Sequence, residues 1–164
     1  MATSPNDIAL INLTLVDSVS KILLEEYDGG GGLRITTSME VPEAVDIKDP
    51  YYSFPFYVTI DLKGFDDAPD KGNLVFHASC KVKGVFDHKN KKKISAKDIE
   101  KEKIAYAELL YVWGRTYIDN QLNVMNITGL NLPWHFSDGD DRLKKSPLSK
   151  KKTTKKKVSK KTKN

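Results

Sequence analysis

The sequence has little that would support catalysis. It contains one cysteine, Cys80, in 164 residues, which excludes an intrachain disulfide and fits a reducing compartment. Its three histidines, His77, His88 and His135, stand far apart, and none completes a metal-ligand spacing. The glycine run at 29–32 lacks the strand, lysine and helix of a phosphate-binding loop. We therefore expect no enzyme activity, no metal site and no cofactor.

Long apolar runs are also missing. No stretch approaches the roughly 18 consecutive apolar residues of a membrane-spanning helix. The N-terminal residues carry no basic segment ahead of an apolar core, which a secretory signal would have. We expect no membrane insertion and a cytoplasmic location.

Acidic residues are absent from the C-terminal stretch. From Arg142 onward the chain has 12 basic residues and no acidic one. The remaining 15 of its 27 basic residues and all 22 of its acidic residues therefore lie in residues 1–141. The net charge of +5 therefore combines a body near −7 with a tail of +12. We predict one domain over residues 1–141 and a disordered, lysine-rich tail over residues 142–164.

Three segments alternate apolar and polar residues with a period of two, at 33–41, 56–63 and 74–86. This pattern is typical of strands with one solvent-facing side. Residues 8–24 fit a strand and a helix face almost equally, and their β-branched content favours an extended, bent strand. The connections are too short and too rich in glycine and proline for crossover helices, so we predict a four-stranded antiparallel sheet.

One long helix is predicted from Ser95 to about Gln121, because Ser95 can cap its start and Asp98 places an acid in the first turn. Two neighbouring stripes of this helix are apolar. One comprises Tyr106, Leu110, Trp113 and Tyr117, and the other Ala105, Leu109, Val112 and Thr116. One sheet covers one face, so a second copy or the loops of a monomer must cover the other. Arg115 is expected to pair with Asp119 or with a carboxylate across an interface.

Two runs, LLYVWGRTYIDNQL at 109–122 and GLNLPWHF at 129–136, resemble the long helix and the following loop of SecB-type chaperones. The strand end KVKGVF at 81–86 and the opening LTLVDS at 13–18 are similar to strands of that family. The resemblance covers about residues 10–136. It implies an α+β subunit with a four-stranded antiparallel sheet and one long helix.

The resemblance also implies an assembly and a function. In that family, two subunits join their sheets edge to edge and the dimers pair through the long helices, which predicts a homotetramer. The predicted oligomer interface comprises Tyr106, Leu110, Trp113 and Tyr117. The implied function is that of a holdase, which binds unfolded polypeptide in apolar grooves. The predicted client-binding residues are Tyr27, Ile127, Leu130, Leu132, Trp134 and Phe136.

The sequence departs from the family pattern in three places. Val112 replaces a proline, residues 123–126 replace an Arg-Gly-Gly-Phe exit, and the acidic stretch 138–141 with the lysine tail replaces a second C-terminal helix. Export-type members use an acidic surface and their C-terminal segment to engage the translocase motor. These departures leave open an export role with a translocase partner and a solitary, phage-encoded or antitoxin-dedicated role.

The alternative function is nucleic-acid binding through the tail, since lysine runs bind phosphates by releasing counterions. The tail contains no aromatic residue to stack on bases, which weakens this reading. Contact of the tail with the ribosome or with neighbouring subunits is a further alternative that the sequence leaves open.

Overall fold

The computed structural model describes residues 7–24, 31–42, 53–89 and 94–136. The predicted client-binding residue Tyr27 and the predicted tail at 142–164 lie outside the described residues. Within them the chain forms four strands and one helix. The elements are β1 (Ile8–Ile22), β2 (Gly32–Glu40), β3 (Ser53–Phe65), β4 (Leu74–His88) and α1 (Ala96–Val124).

The strands form one antiparallel sheet in the order β1-β4-β3-β2. This confirms the predicted four-stranded antiparallel sheet packed on one long helix. Residues 8–22 are a strand, and its register against β4 shifts between Leu10 and Asn12 and again between Leu15 and Asp17. Each bulge displaces the in-and-out alternation by one residue. The two bulges explain why the period of this segment was ambiguous in the sequence.

The core lies between the sheet and α1, which packs across β3 and β4. Alternate residues of β3, from Phe54 to Leu62, are almost completely buried. A cluster of aromatic rings fills one end of the core: the Phe86 centroid lies 5.6 Å from that of Phe54 and 5.1 Å from that of Tyr106. At Gly114 the helix backbone comes so close to the sheet that an added Cβ would lie 3.0 Å from Ile60 Cδ1.

The face of the sheet that points away from α1 is polar, and several of its charges are paired. Asp61 contacts both Lys63 and His77, and Lys81 contacts Glu40. Burial alone would raise the pKa of Asp61, but the hydrogen bonds from Lys63 and His77 outweigh it and hold that pKa below its usual value. None of the described residues forms a helix long and apolar enough to span a bilayer.

A capping box begins α1, as predicted. The Ser95 hydroxyl accepts a hydrogen bond from the Asp98 backbone N–H at 3.2 Å, and the Asp98 carboxylate approaches the Ser95 N–H in return. Hydrogen bonding from the Ser95 side chain lowers the pKa of the Asp98 carboxyl.

A Schellman motif ends α1. The N–H of Ile127 donates to the carbonyl of Leu122, and the N–H of Asn126 donates to that of Asn123. Asn126 adopts the left-handed conformation that this motif requires, with φ of 57°. Asparagine is the residue other than glycine that tolerates this conformation best. The segment 123–126 therefore ends the helix without the glycines of the family pattern.

Replacing Asn126 by valine is expected to lower the free energy of unfolding by about 1–2 kcal/mol, because a β-branched residue is strained at positive φ. Asn126→Gly is the matched control, since glycine adopts this φ without strain. Urea denaturation at fixed protomer concentration measures both. Equal losses for the two variants would show that the asparagine side chain, and not its backbone conformation, stabilises the cap.

Candidate functional site

A second apolar surface of α1 faces away from the sheet. Leu109 and Val112 are each 56% exposed, and Trp113 is 41% exposed. Their spacing of three and four residues places these side chains on one side of the helix. We call Leu109, Val112 and Trp113 the outer face of α1. Exposed apolar residues that adjoin one another in this way are typical of protein-binding surfaces.

The structure separates the four residues predicted for the oligomer interface. Tyr106 and Leu110 lie in the core, under 3% exposed, so the subunit itself covers these two side chains. Burial, with the nearby Glu102 and Asp98 charges, raises the pKa of Tyr106 to about 12. Trp113 is exposed and Tyr117 is half-buried. The stripe that faces solvent is therefore the neighbouring one.

Small residues were the signal that could have distinguished the two stripes. Gly114 follows Leu110 by one turn and lies close against β3 and β4, and Ala107, two turns before Gly114 on the same side of the helix, is completely buried. A helix can approach a sheet closely only where its side chains are small. Gly114 and Ala107 therefore mark the side of α1 that packs on β3 and β4.

β1 is an edge strand with exposed apolar side chains. Leu10 and Ile22 pair with Phe86 and Phe76 and so point to the same side of the sheet as α1, but α1 does not extend over them. Ile11 and Val16 sit at the two bulges and are also exposed. We call these side chains, with the unpaired backbone beside them, the open edge of β1. Such an edge can pair with another chain.

Two hydrogen bonds link the C-terminal half of α1 to β1. The Tyr117 hydroxyl donates to Ser18 Oγ at 3.0 Å, and the Ser20 hydroxyl donates to Gln121 Oε1 at 3.0 Å. Tyr117 lies one turn beyond Trp113, so the outer face of α1 and the open edge of β1 lie side by side.

The loop after α1 packs against the flank of the helix. The Tyr111 hydroxyl donates to the Pro133 carbonyl at 2.8 Å, and its ring meets Phe136 edge-on at 6.1 Å between centroids. Leu132 and Phe136 are buried by this packing, whereas Trp134 is 73% exposed. Of the predicted client-binding residues described, Trp134 is the most accessible. Ile127 and Leu130 are partly buried against the core.

Arg115 lies between the helix and this loop. Its guanidinium carbon is 3.9 Å from the centroid of the Trp134 ring, and its Nη2 is 3.6 Å from Asp119 Oδ2. The ion pair between Arg115 and Asp119 was predicted, but the distance between its two charged atoms is long. The stacking on Trp134 was not predicted, because no pattern in the sequence reports which loop residue returns to the helix.

A cavity of about 290 Å³ opens beside Arg115. The last three turns of α1 form one wall and residues 127–131 form the other. Its polar lining comprises Arg115, Asp119, Asn123, Thr128 and Asn131. No pattern in the sequence predicts this cavity, since it depends on where the Schellman motif directs the chain.

No protein-family model matches the chain, and no curated protein matches it in sequence. Among solved structures, it is similar to the Mycobacterium tuberculosis SecB-like chaperone Rv1957, solved in complex with a ChAD peptide from the HigA1 antitoxin (Rv1956). The match covers 78% of this chain and 90% of that chain, with a TM-score of 0.57 and 12% sequence identity. This chain has a SecB-like fold.

Nothing in the described part of this SecB-like fold forms a group of three or more histidine, cysteine or acidic side chains that could hold a metal ion. Cys80 is buried, and burial raises the pKa of its thiol to about 12. A thiol of this kind is a poor nucleophile at neutral pH. Cys80 therefore has the properties of a packing residue.

Proposed function

We propose that this chain is a SecB-like holdase that binds unfolded or non-native polypeptides. The observation that carries the proposal is the amount of apolar surface that the SecB-like fold leaves uncovered, on the outer face of α1, at the open edge of β1 and at Trp134. A monomeric protein gains nothing from exposing such adjoining surfaces. They are useful if they are buried by other copies and by clients.

Apolar contacts are suited to a chaperone that must bind clients of many different sequences. Each large side chain that a client buries contributes about 1.5–3 kcal/mol, and this contribution depends on area and not on a particular sequence. The proposed client contacts within the described residues are Trp134, Ile127 and Leu130. Tyr27, which lies outside the described residues, is a further proposed contact. Leu132 and Phe136 are already buried, so their part is to hold the loop against Tyr111.

The proposed assembly is a homotetramer. The open edge of β1 would pair with its counterpart in a second subunit, and the outer face of α1 would pack on the helices of a second dimer. This arrangement assigns a partner to both uncovered surfaces. Sedimentation equilibrium tests it, because a tetramer has four times the 18.5 kDa mass of the chain, whereas a strict monomer contradicts the assembly.

An antitoxin-type client is favoured over the translocase. Rv1957, the solved structure to which this chain is similar in fold, binds a peptide from an antitoxin. The acidic surface implied for translocase binding is not found on the described outer face of the sheet, where Asp61 and Glu40 are paired with lysines. A basic tail is also a poor substitute for an acidic contact.

The holdase proposal predicts that the purified protein suppresses aggregation of a chemically unfolded client on dilution. One proposed tetramer per client chain is expected to reduce light scattering severalfold, because it covers the exposed apolar residues of the client. Bovine serum albumin at equal mass is the control for nonspecific protein effects. Unchanged scattering at a fourfold excess of tetramer would refute the proposal.

Nucleic-acid binding remains the alternative, and the 12 basic residues of the tail favour it. A chain that ends at Asp141 separates the two functions. The holdase proposal expects this shortened chain to keep its suppression of aggregation. Loss of suppression together with loss of a steeply salt-dependent affinity for DNA or RNA would assign the function to the tail.

A further inference from the structure

The side chain of Arg115 is mostly buried, and one of its donor atoms has no acceptor. It is 15% exposed, and its Nε is inaccessible to water and has no hydrogen-bond partner. Its carboxylate partner, Asp119, stands 3.6 Å away, beyond the normal range of a strong charge-assisted hydrogen bond. A buried guanidinium in this condition is costly, because each donor that loses water must find an acceptor.

The cavity supplies space for an acceptor on the accessible part of the guanidinium, away from the buried Nε. Arg115 lines it from the helix, and its volume of about 290 Å³ accommodates a small polar side chain together with its neighbours on a peptide. The amides of Asn123 and Asn131 and the hydroxyl of Thr128 also line the cavity and can donate hydrogen bonds.

The stack on Trp134 orients the guanidinium. The guanidinium carbon lies 3.9 Å from the centroid of the indole, a contact that leaves guanidinium donors free for an acceptor. The carboxylate is the planar group that matches a guanidinium with two parallel hydrogen bonds. Trp134 itself is exposed, so a polypeptide that contacts the indole passes directly beside Arg115.

We propose that the Arg115 cavity binds a carboxylate of the client polypeptide, either an aspartate or glutamate side chain or the C-terminal carboxylate. This inference rests on the proposed holdase function and adds a polar anchor to it. Apolar contacts provide affinity without sequence preference, and the Arg115 cavity selects segments in which a carboxylate adjoins apolar residues.

Asp119 competes with the ligand in this arrangement. Its carboxylate occupies one edge of the guanidinium, and removing its charge frees that edge and raises the positive potential of the cavity. Asp119→Asn is therefore expected to tighten carboxylate binding severalfold. If Arg115 and Asp119 formed only a structural ion pair, breaking it would bring no gain in affinity.

The first test uses a small probe and does not depend on client holding. N-acetylglutamate methylamide is titrated into the full-length protein, with the glutamine analogue as control, and tryptophan fluorescence is recorded. We expect a saturable change with the glutamate probe that is absent in Trp134→Phe and Arg115→Gln and occurs at severalfold lower concentration in Asp119→Asn. A response that is identical for both probes, or that persists in Arg115→Gln, overturns the proposal.

The second test compares three labelled apolar peptides of otherwise equal sequence by fluorescence anisotropy. One has a central glutamate and an amidated C-terminus, one has glutamine and a free C-terminus, and one has glutamine and an amidated C-terminus. Arg115→Gln is expected to weaken binding of at least one of the two carboxylate peptides about tenfold, which corresponds to about 1.4 kcal/mol, and to leave the neutral peptide within twofold. Whichever carboxylate peptide responds identifies the source of the carboxylate.

The outcomes separate this inference from the holdase proposal. Equal binding of all three peptides by the wild-type protein and by Arg115→Gln overturns the carboxylate site and leaves the holdase intact. Uniform weakening of all three peptides assigns Arg115 a structural role and also overturns the site. Absence of binding to any peptide contradicts the holdase, and the small-probe titration then decides the carboxylate site by itself.

Discussion

Replacing Phe86 by alanine is expected to lower the free energy of unfolding by about 3–5 kcal/mol. Phe86 is completely buried, and its ring contacts those of Phe54, Phe56 and Tyr106, with centroids 5.1–6.4 Å apart. Its removal takes away the transfer free energy of the ring and leaves a cavity that two strands and the helix cannot easily close. Domains are typically stable by about 5–15 kcal/mol, so this single change removes a large part of the total.

Urea denaturation followed by far-UV circular dichroism measures the effect at fixed protomer concentration, because assembly couples stability to concentration. Trp134→Ala is the matched control. It truncates another large aromatic side chain, but one that is mostly exposed and mainly loses its stack on Arg115, which is worth about 1 kcal/mol. Similar losses in the two variants would mean that the aromatic cluster is not the centre of the core.

The second large effect is expected from Val112→Asp. Val112 is exposed within the subunit, so the change leaves folding of the subunit intact, but it places a carboxylate in the proposed contact between helices. Burying an unpaired charge costs several kcal/mol, and the symmetry of a homo-oligomer repeats the cost in each copy. We expect the dissociation constant of the tetramer to rise more than about 100-fold, which corresponds to about 2.7 kcal/mol.

Sedimentation velocity across a range of concentrations reports the change in mass, and circular dichroism verifies that α1 is still helical. Lys97→Gln is the matched control, because it alters the charge by the same amount at an exposed position in the first turn of α1. A Val112→Asp protein with the mass of the wild type would exclude the outer face of α1 as an interface. The open edge of β1 would then be the next surface to test by the same method.

Most of the fold could be predicted from local pattern. The alternation in β2, β3 and β4 is regular apart from one register shift between Gly64 and Phe65, and Ser95 with Asp98 identifies the start of α1 to within one residue. The order of the strands could not be predicted, because the pairing of β1 with β4 joins segments distant in the chain. The bulges in β1 were equally hidden, since a bulge changes the side that residues face without changing their composition.

The candidate site was less predictable than the fold. Hydrophobic periodicity showed that α1 has two apolar stripes, but it did not indicate which of them faces the sheet. Tyr106 and Leu110, which were predicted to lie in the oligomer interface, pack against the sheet. The size of the side chains decides which stripe of a helix can approach a sheet, and Gly114 indicates that side of α1 in the sequence. The burial of Leu132 and Phe136 and the exposure of Trp134 depend on how the loop returns to Tyr111, which is a tertiary contact.

The position of β1 has a consequence for how the chain folds during synthesis. Ile8 pairs with His88, so β1, the earliest of the described strands in the chain, pairs with β4, the latest of them, and its partner does not exist until most of the described sheet has been made. Contacts between such distant segments make folding slow. Until β4 arrives, the apolar residues of β1 remain exposed in the nascent chain. For that period, the protein is itself an unfolded polypeptide of the kind that it is proposed to hold.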